Sequence, residues 1–447
     1  MKISVTMSTA LLSTMALAGP VIEQETIECT QSPHVAKISY VLANAPAVVT
    51  MEVWTNTLPQ GAGEWLKVDG RNVQSLSGDV CKLIQPSETP KEIVWRVHRD
   101  LPPFTYSDGR VKFKLTAWRT YDLPDWMVVG LETANDVRYY ATTNDIPYGF
   151  GSDVYKTSQL LMRRMHCRGV TWKSGDYTTW APTAASNADN ANLPHPVVLT
   201  EDYYIGVYEF TVGQLWKVTG EIPWSKWNSY DDFALRPVVS VGMSALRGQN
   251  ASSFEGDGYW WPKTGHQVSE SSYIGQIRER TGLRGLDLPT QAQWEFACRA
   301  GNYDDWFGRG ISGGAFRTYA WYSGNSTEQT TDGVAQVHAV GMLEPNDYLL
   351  YDMHGNVREI CLDRATRGDD FIATLAMGYS KGGVTVDPDG GMVGSQGLET
   401  SVLKLGGSYL EDDFPARAGA RSSGGYSYTD GAIGFRVVAP AYIGTIE

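Results

Sequence analysis

Asp287-Leu-Pro-Thr-Gln-Ala-Gln-Trp-Glu-Phe-Ala-Cys-Arg-Ala-Gly301 carries one of the few strong helix signals in the chain. Pro289 stands just before a capping residue, Thr290, and Thr290-x-x-Gln293 has the spacing of a capping box. In such a box the hydroxyl and the amide each satisfy a backbone N–H that the first helical turn leaves without a partner. The spacing therefore predicts a helix over Gln291–Arg299, with Trp294 and Glu295 at its middle, where an indole packs and a carboxylate can hold a neighbouring loop. Two other helices are legible: one over Val212–Val218 capped by Thr211, and a short one running from Ser272 through Arg280. The rest reads as turns and short strands.

Upstream, strand-like alternation recurs in Ala36–Leu42, Val48–Trp54, Glu92–Val97 and Val111–Trp118, broken by Asp69-Gly70, Pro102-Pro103 and Ser107-Asp108-Gly109. Period-2 patterning with such turns predicts a small antiparallel β-sandwich, immunoglobulin-like, over residues 30–132. It gathers no convergent set of titratable residues and reads as a spacer or docking module. Residues 133–156 read as a linker, and a second domain is expected over 157–441, opening with strands at Gln159–Met165 and Gly169–Trp172. The polar, Ala/Asn-rich run Ala184–Ala191 reads as a surface loop. At the start, Met1-Lys2 precedes an apolar stretch from Ile3 to Leu17 and an Ala16-Leu17-Ala18 site, the pattern of a secretory signal spanning residues 1–18. An exported protein, periplasmic or secreted, is expected, and no later run has the ~20 apolar residues of a membrane helix.

The 447 residues exceed one ordinary domain, which agrees with this division. With 42% apolar and 19% charged residues the chain is globular, and 47 glycines with 15 tryptophans imply a turn-rich fold held by aromatic bulk. A net charge of −13 without a basic stripe argues against nucleic acid as a partner. The cysteines are Cys29, Cys81, Cys167, Cys298 and Cys361, so at least one thiol cannot pair within the chain. Cys29 with Cys81 is the preferred bridge, since both lie in the first domain.

Five segments occur in order: Tyr203–Thr211, Asp287–Gly301, Tyr351–Glu359, Leu405-Gly-Gly-Ser-Tyr409 and Gly434-Phe-Arg-Val-Val438. As an ordered set they resemble the sulfatase-modifying-factor, or formylglycine-generating-enzyme, family. The resemblance implies an α+β fold: a C-type-lectin-like domain with little regular secondary structure, here following the β-sandwich. Gly406-Gly407 suits a close backbone approach, and Gly434 suits a final strand. Asp352 and Glu359, seven residues apart with Gly355 forcing a turn between them, can offer side-chain and backbone oxygens to a hard cation. The family uses the matching positions for structural calcium, which implies ligands at Asp352, Gly355, Val357 and Glu359. The tryptophans usual beside this motif are here Arg358 and Ile360.

The family's aerobic oxidases bind copper with two cysteines shortly after the Gly-Gly-Ser-Tyr motif. This chain reads Glu411, Asp412, Asp413, Arg417 and Arg421 there, and no cysteine follows Cys361. Carboxylates do not replace the soft thiolates that select copper(I), so no copper is expected. The seven histidines show no paired ligand spacing. What remains is a candidate ligand surface of Ser408, Tyr409, Glu411, Asp412, Arg417, Arg421, Tyr426 and Tyr428, of the Tyr/Ser/Gly/Asp composition that adaptable binding loops use. Non-catalytic binding of a protein, peptide or glycan is the leading expectation. The alternatives are a formylglycine-generating or related oxidase acting on sulfatase cysteines through a non-standard site, and a structural part of an envelope assembly.

Overall fold

The computed structural model describes residues 19–31, 34–102, 109–175, 195–221, 231–248, 268–302, 316–328, 330, 333–365, 384–388 and 401–443. The stretch read as a secretory signal, 1–18, and the run read as a surface loop, 184–191, lie outside them. The chain gathers into two compact units, one of Met1–Val128, Val137–Ser152 and Ala441–Glu447, the other of Val129–Asp136 and Asp153–Pro440. The stretch read as a linker is thus divided between the two.

The first unit is built from β1 (Val21–Gln31), β2 (His34–Ala43), β3 (Ala47–Asn56), β4 (Trp65–Lys67), β5 (Leu76–Gly78), β6 (Lys82–Ile84), β7 (Ser87–Trp95) and β8 (Val111–Arg119). One sheet has the order β1-β2-β7-β5; in the other β3 pairs with β4, β6 and β8. All these pairs are antiparallel. Alternation explains the faces: Ala36, Ile38, Tyr40 and Leu42 of β2 join Val49, Met51 and Val53 of β3 in one core around Trp95. The expected strand at Glu92–Val97 stops at Trp95, because Val97 starts the short helix α1 (Val97–Asp100) and the Trp95 indole donates to Asp100 at 2.6 Å. Cys81 is a buried free thiol, so the bridge expected from Cys29 is not formed; the side chain of Cys29 lies outside the described residues. Two more strands, β9 (Trp126–Gly130) and β10 (Val137–Tyr140), follow.

The second unit mixes short strands with few helices. Its strands are β11 (Gln159–Met165), β12 (Thr171–Ser174), β13 (His195–Val198), β14 (Tyr203–Gly206), β15 (Ala320–Trp321), β16 (His354–Gly355), β17 (Arg358–Ala365), β18 (Thr385–Val386), β19 (Ser401–Leu405), β20 (Ser422–Gly425), β21 (Ile433–Gly434) and β22 (Val438–Pro440). Its helices are α2 (Val154–Thr157), α3 (Val212–Thr219), α4 (Met243–Arg247), α5 (Tyr273–Thr281) and α6 (Gln291–Arg299). The three helices expected from the sequence all form: Thr211 and Thr290 close capping boxes with Gln214 and Gln293, and Ser272 caps α5. The sheet that positions the site has the order β20-β19-β17-β21, antiparallel except where β17 meets β21.

Loops in this unit are tied down by buried ion pairs. Asp287, fully buried, accepts from Arg247 at 3.0 Å and Arg278 at 2.9 Å. Glu295, mid-helix in α6, accepts from Ser174 at 2.6 Å and the Gly175 amide at 2.8 Å, holding the loop after β12 as its place in the helix suggested. The Asp287–Arg247 pair and the Glu295 hydrogen bonds to Ser174 and Gly175 join segments distant in sequence, which is how a fold with so little regular structure fixes its loops.

Candidate functional site

The turn between Asp352 and Glu359 is held from within. Gly355 has φ +79°, and a Cβ there would lie 2.1 Å from the Trp321 carbonyl oxygen, so only glycine fits. The Asn356 amide donates to that same oxygen at 2.7 Å, and Asn356 Nδ2 and the Val357 N–H donate to Glu209 at 2.7 and 3.1 Å. Glu359 receives Arg436 Nη2 at 2.8 Å and Nε at 3.1 Å, while the Trp294 indole donates to it at 2.8 Å. Asp352 accepts from the Gly341 amide at 2.7 Å through one oxygen; the other meets no protein donor.

Three buried carboxylates, Glu209, Asp352 and Glu359, therefore surround one guanidinium. Burial pushes the Glu209 carboxyl well above its ordinary range and that of Asp352 to about 6, each helped by its acidic neighbours. Of the four positions implied for calcium, Glu359 is engaged by Arg436 and Trp294, and Asp352 accepts from the Gly341 amide through one oxygen.

The candidate ligand residues divide between the surface and the interior. Glu411 forms a two-pronged pair with Arg358, both contacts at 2.8 Å, and accepts at 3.0 Å from the hydroxyl of Ser408, which is itself fully buried and so no part of an open surface. Asp430 lies 3.5 Å from the same guanidinium. Tyr428, 53% exposed, lies against the ammonium of Lys404, which is 4.8 Å from its ring centre. Tyr426 is turned away and donates to the Gly248 carbonyl at 3.0 Å. Tyr409 is half-buried and Asp412 exposed.

Arg417 does not belong to a ligand surface. It is only 4% exposed, and a guanidinium that deep is retained by partners inside the protein rather than offered to solvent. Arg421 acts toward the interior: its charge helps hold Glu295 below the usual carboxylate range, after Arg299. Sequence reasoning missed Arg358, which it treated only as a departure from the family's tryptophan, and Lys404, which it left unremarked; Asp430 it took only as the end of the Gly424–Asp430 loop. Alternation puts Arg358 and Ile360 on one face of β17, but only the pairing of Ile360 with Lys404 in β19 brings the lysine to that face.

The donors after Gly407-Ser408-Tyr409 do not fit copper(I). Glu411 is a hard carboxylate already paired with Arg358, and no thiolate stands beside it. Cys298 is the thiol with a histidine nearby, its Sγ 3.6 Å from His354 Nε2, but both are buried and burial drives that thiol far up, away from the reactive thiolate. No helix of the described residues is long and apolar enough to cross a membrane.

Comparisons with known proteins follow this geometry. The chain is 30% identical over 184 residues to a chaperone protein LppX of Paenibacillus barcinonensis, covering 37% of this chain and 63% of that protein. It is 35% identical over 159 residues to a formylglycine-generating enzyme of Streptomyces coelicolor, covering 34% of this chain and 46% of that enzyme. It thus spans less than two thirds of the length of either relative. Among solved structures, variable protein 1 of Treponema denticola aligns with a TM-score of 0.44 at 24% identity, covering 66% of this chain and 98% of that one. PvdO from Pseudomonas aeruginosa aligns with a TM-score of 0.39 at 20% identity, covering 63% and 94%. The model of the sulfatase-modifying factor enzyme 1-like domain matches residues 168–441, more than half of the sequence, and the chain belongs to that family.

Proposed function

We propose that this is an exported binding protein, in which a sulfatase-modifying-factor domain recognises a protein, peptide or glycan on the surface of Glu411 and Tyr428 instead of oxidising it. The observation that carries this reading is the Arg358–Glu411 pair, with both contacts at 2.8 Å, where the resemblance puts copper-binding thiolates. An ion pair fixes the loop after Gly407 and offers polar hydrogen-bonding edges, yet it holds no redox metal. Export is supported by the residue pattern of Met1–Ala18, and a spacer role for the first unit, read as an immunoglobulin-like sandwich, by two antiparallel sheets over one core.

The test uses mature protein purified from its exporting host, whose N-terminal sequencing should begin at Gly19. Glycan and peptide arrays are screened with the wild type and with Tyr428→Ala. A specific ligand lost in the variant supports the reading; binding that survives unchanged sinks it. The oxidase alternative draws on the 35% identity to the Streptomyces coelicolor enzyme. Conversion of a sulfatase-derived cysteine peptide to an aldehyde by the purified protein, seen by mass spectrometry, would replace the binding reading with that one.

A further inference from the structure

Lys404 presents an unusual situation for an ammonium. The residue is only 5% exposed, yet among the described residues its Nζ makes no hydrogen bond or ion pair; it lies 4.8 Å from the centre of the Tyr428 ring, with Asp430 and Glu411 near enough to favour its charge. The low exposure belongs to the aliphatic stem, and a cation–π contact leaves the ammonium's N–H donors short of acceptors. Burial, followed by the Arg358 charge, accordingly holds this amine below its ordinary range. The fold keeps room for it. A Cβ at Gly424 would lie 2.5 Å from Lys404 Nζ and 3.2 Å from the Tyr428 ring, so the glycine leaves a notch that any side chain would fill.

We infer that Lys404 is the anchor for the carboxylate of an acidic sugar bound against Tyr428, at the mouth of the Gly424 notch. This rests on the binding role proposed for the same surface and names its ligand class. An ammonium lacking acceptors is completed by an anion, and charge-assisted hydrogen bonds are the stronger kind. Beside it stand groups suited to hydroxyls: the partly exposed carboxylates of Glu411 and Asp430, whose side chains are 22% and 30% exposed and whose oxygens, though bonded to Arg358, Ser408 and the Ala432 amide, can each accept a further hydrogen bond. Tyr428 offers the exposed ring on which a sugar face can lie. An acidic peptide adding to the sheet edge fits less well. β20 has only four residues, and the Gly425 carbonyl at its end already accepts from the Tyr428 amide at 2.9 Å, which leaves a short ladder for an added strand.

The measurement is the rate of reductive dimethylation of Lys404 in the native full chain, read by peptide mass spectrometry. The probes are sodium D-glucuronate, D-glucose and N-acetyl-L-glutamate. Glucuronate is expected to slow labelling of Lys404 several-fold, while glucose and N-acetyl-L-glutamate leave it unchanged. Calorimetric titration of Lys404→Met should show glucuronate affinity reduced about tenfold to a hundredfold, with Lys404→Arg recovering part of it. Unprotected labelling in glucuronate overturns the inference even if Lys404→Met proves unstable, because that measurement uses the wild type alone. Equal protection by N-acetyl-L-glutamate overturns the sugar in favour of a peptide acid. If array binding depends on Tyr428 while glucuronate gives no protection, the binding surface stands and the carboxylate anchor falls; if array binding ignores Tyr428, the surface itself falls.

Discussion

Glu359 finds its counter-charge in Arg436, 77 residues further along the chain, and both side chains are buried, at 1% and 0% exposure. The guanidinium also donates to the carbonyls of Gly206 and Tyr351, each at 2.8 Å, so one residue fastens three segments. Replacing it by an apolar side chain leaves an uncompensated carboxylate beside two others, Glu209 and Asp352. Arg436→Met is therefore expected to cost about 3–5 kcal/mol in urea unfolding, as one-sided removal from a buried pair does. A loss below about 1 kcal/mol would mean that Glu359 takes up a proton at little cost and that the pair is not a fastener. The spacing of Asp352 and Glu359 announced oxygen donors facing one turn; it could not announce that the cation meeting them would be a guanidinium.

At the scale of the element, α6 is the clearest case of local determination. Thr290 accepts from the Gln293 amide at 3.2 Å, and Gln293 returns a side-chain oxygen to the Thr290 amide at 2.9 Å. These bonds span three residues, so a sequence reader has all the participants in view. Thr290→Ala should cost about 1 kcal/mol, seen as a lower urea midpoint with unchanged slope. The cleft sheet is the opposite case. Its strands β19 and β20 are five and four residues long, and β19 is joined to β17 with a register shift between Ile360 and Arg364. Short strands with shifted register carry weak periodicity, and the face shared by Arg358 and Lys404 stayed hidden until pairing was known.

Across the whole molecule, charge is settled internally. Asp287 with Arg247 and Arg278, Glu295 with Arg299, and Glu359 with Arg436 supply fixed cations to three buried carboxylates that join loops. With these cations in place, the fold is expected to hold without a divalent ion at the Asp352–Glu359 turn. The thermal unfolding temperature should be the same in millimolar calcium and in excess chelator; a calcium-dependent rise of several degrees would show that Asp352 recruits an ion after all. The thiols follow the same interior logic, since Cys81, Cys167, Cys298 and Cys361 are all buried and free.

From the sequence alone came the capped helices, the antiparallel strands of the first unit, the ordered motifs that mark the family and the missing cysteine pair. Each depends on residues close together in the chain, or on the presence of an element's worth of atoms. Tertiary structure alone decided that Glu359 meets Arg436, that Arg417 is interior, that Cys81 stays unpaired, and that Lys404 stands over Gly424 without an acceptor. Those outcomes depend on which distant segments pack together, and the backbone path that brings them within bonding distance is fixed by packing of the whole unit rather than by local spacing.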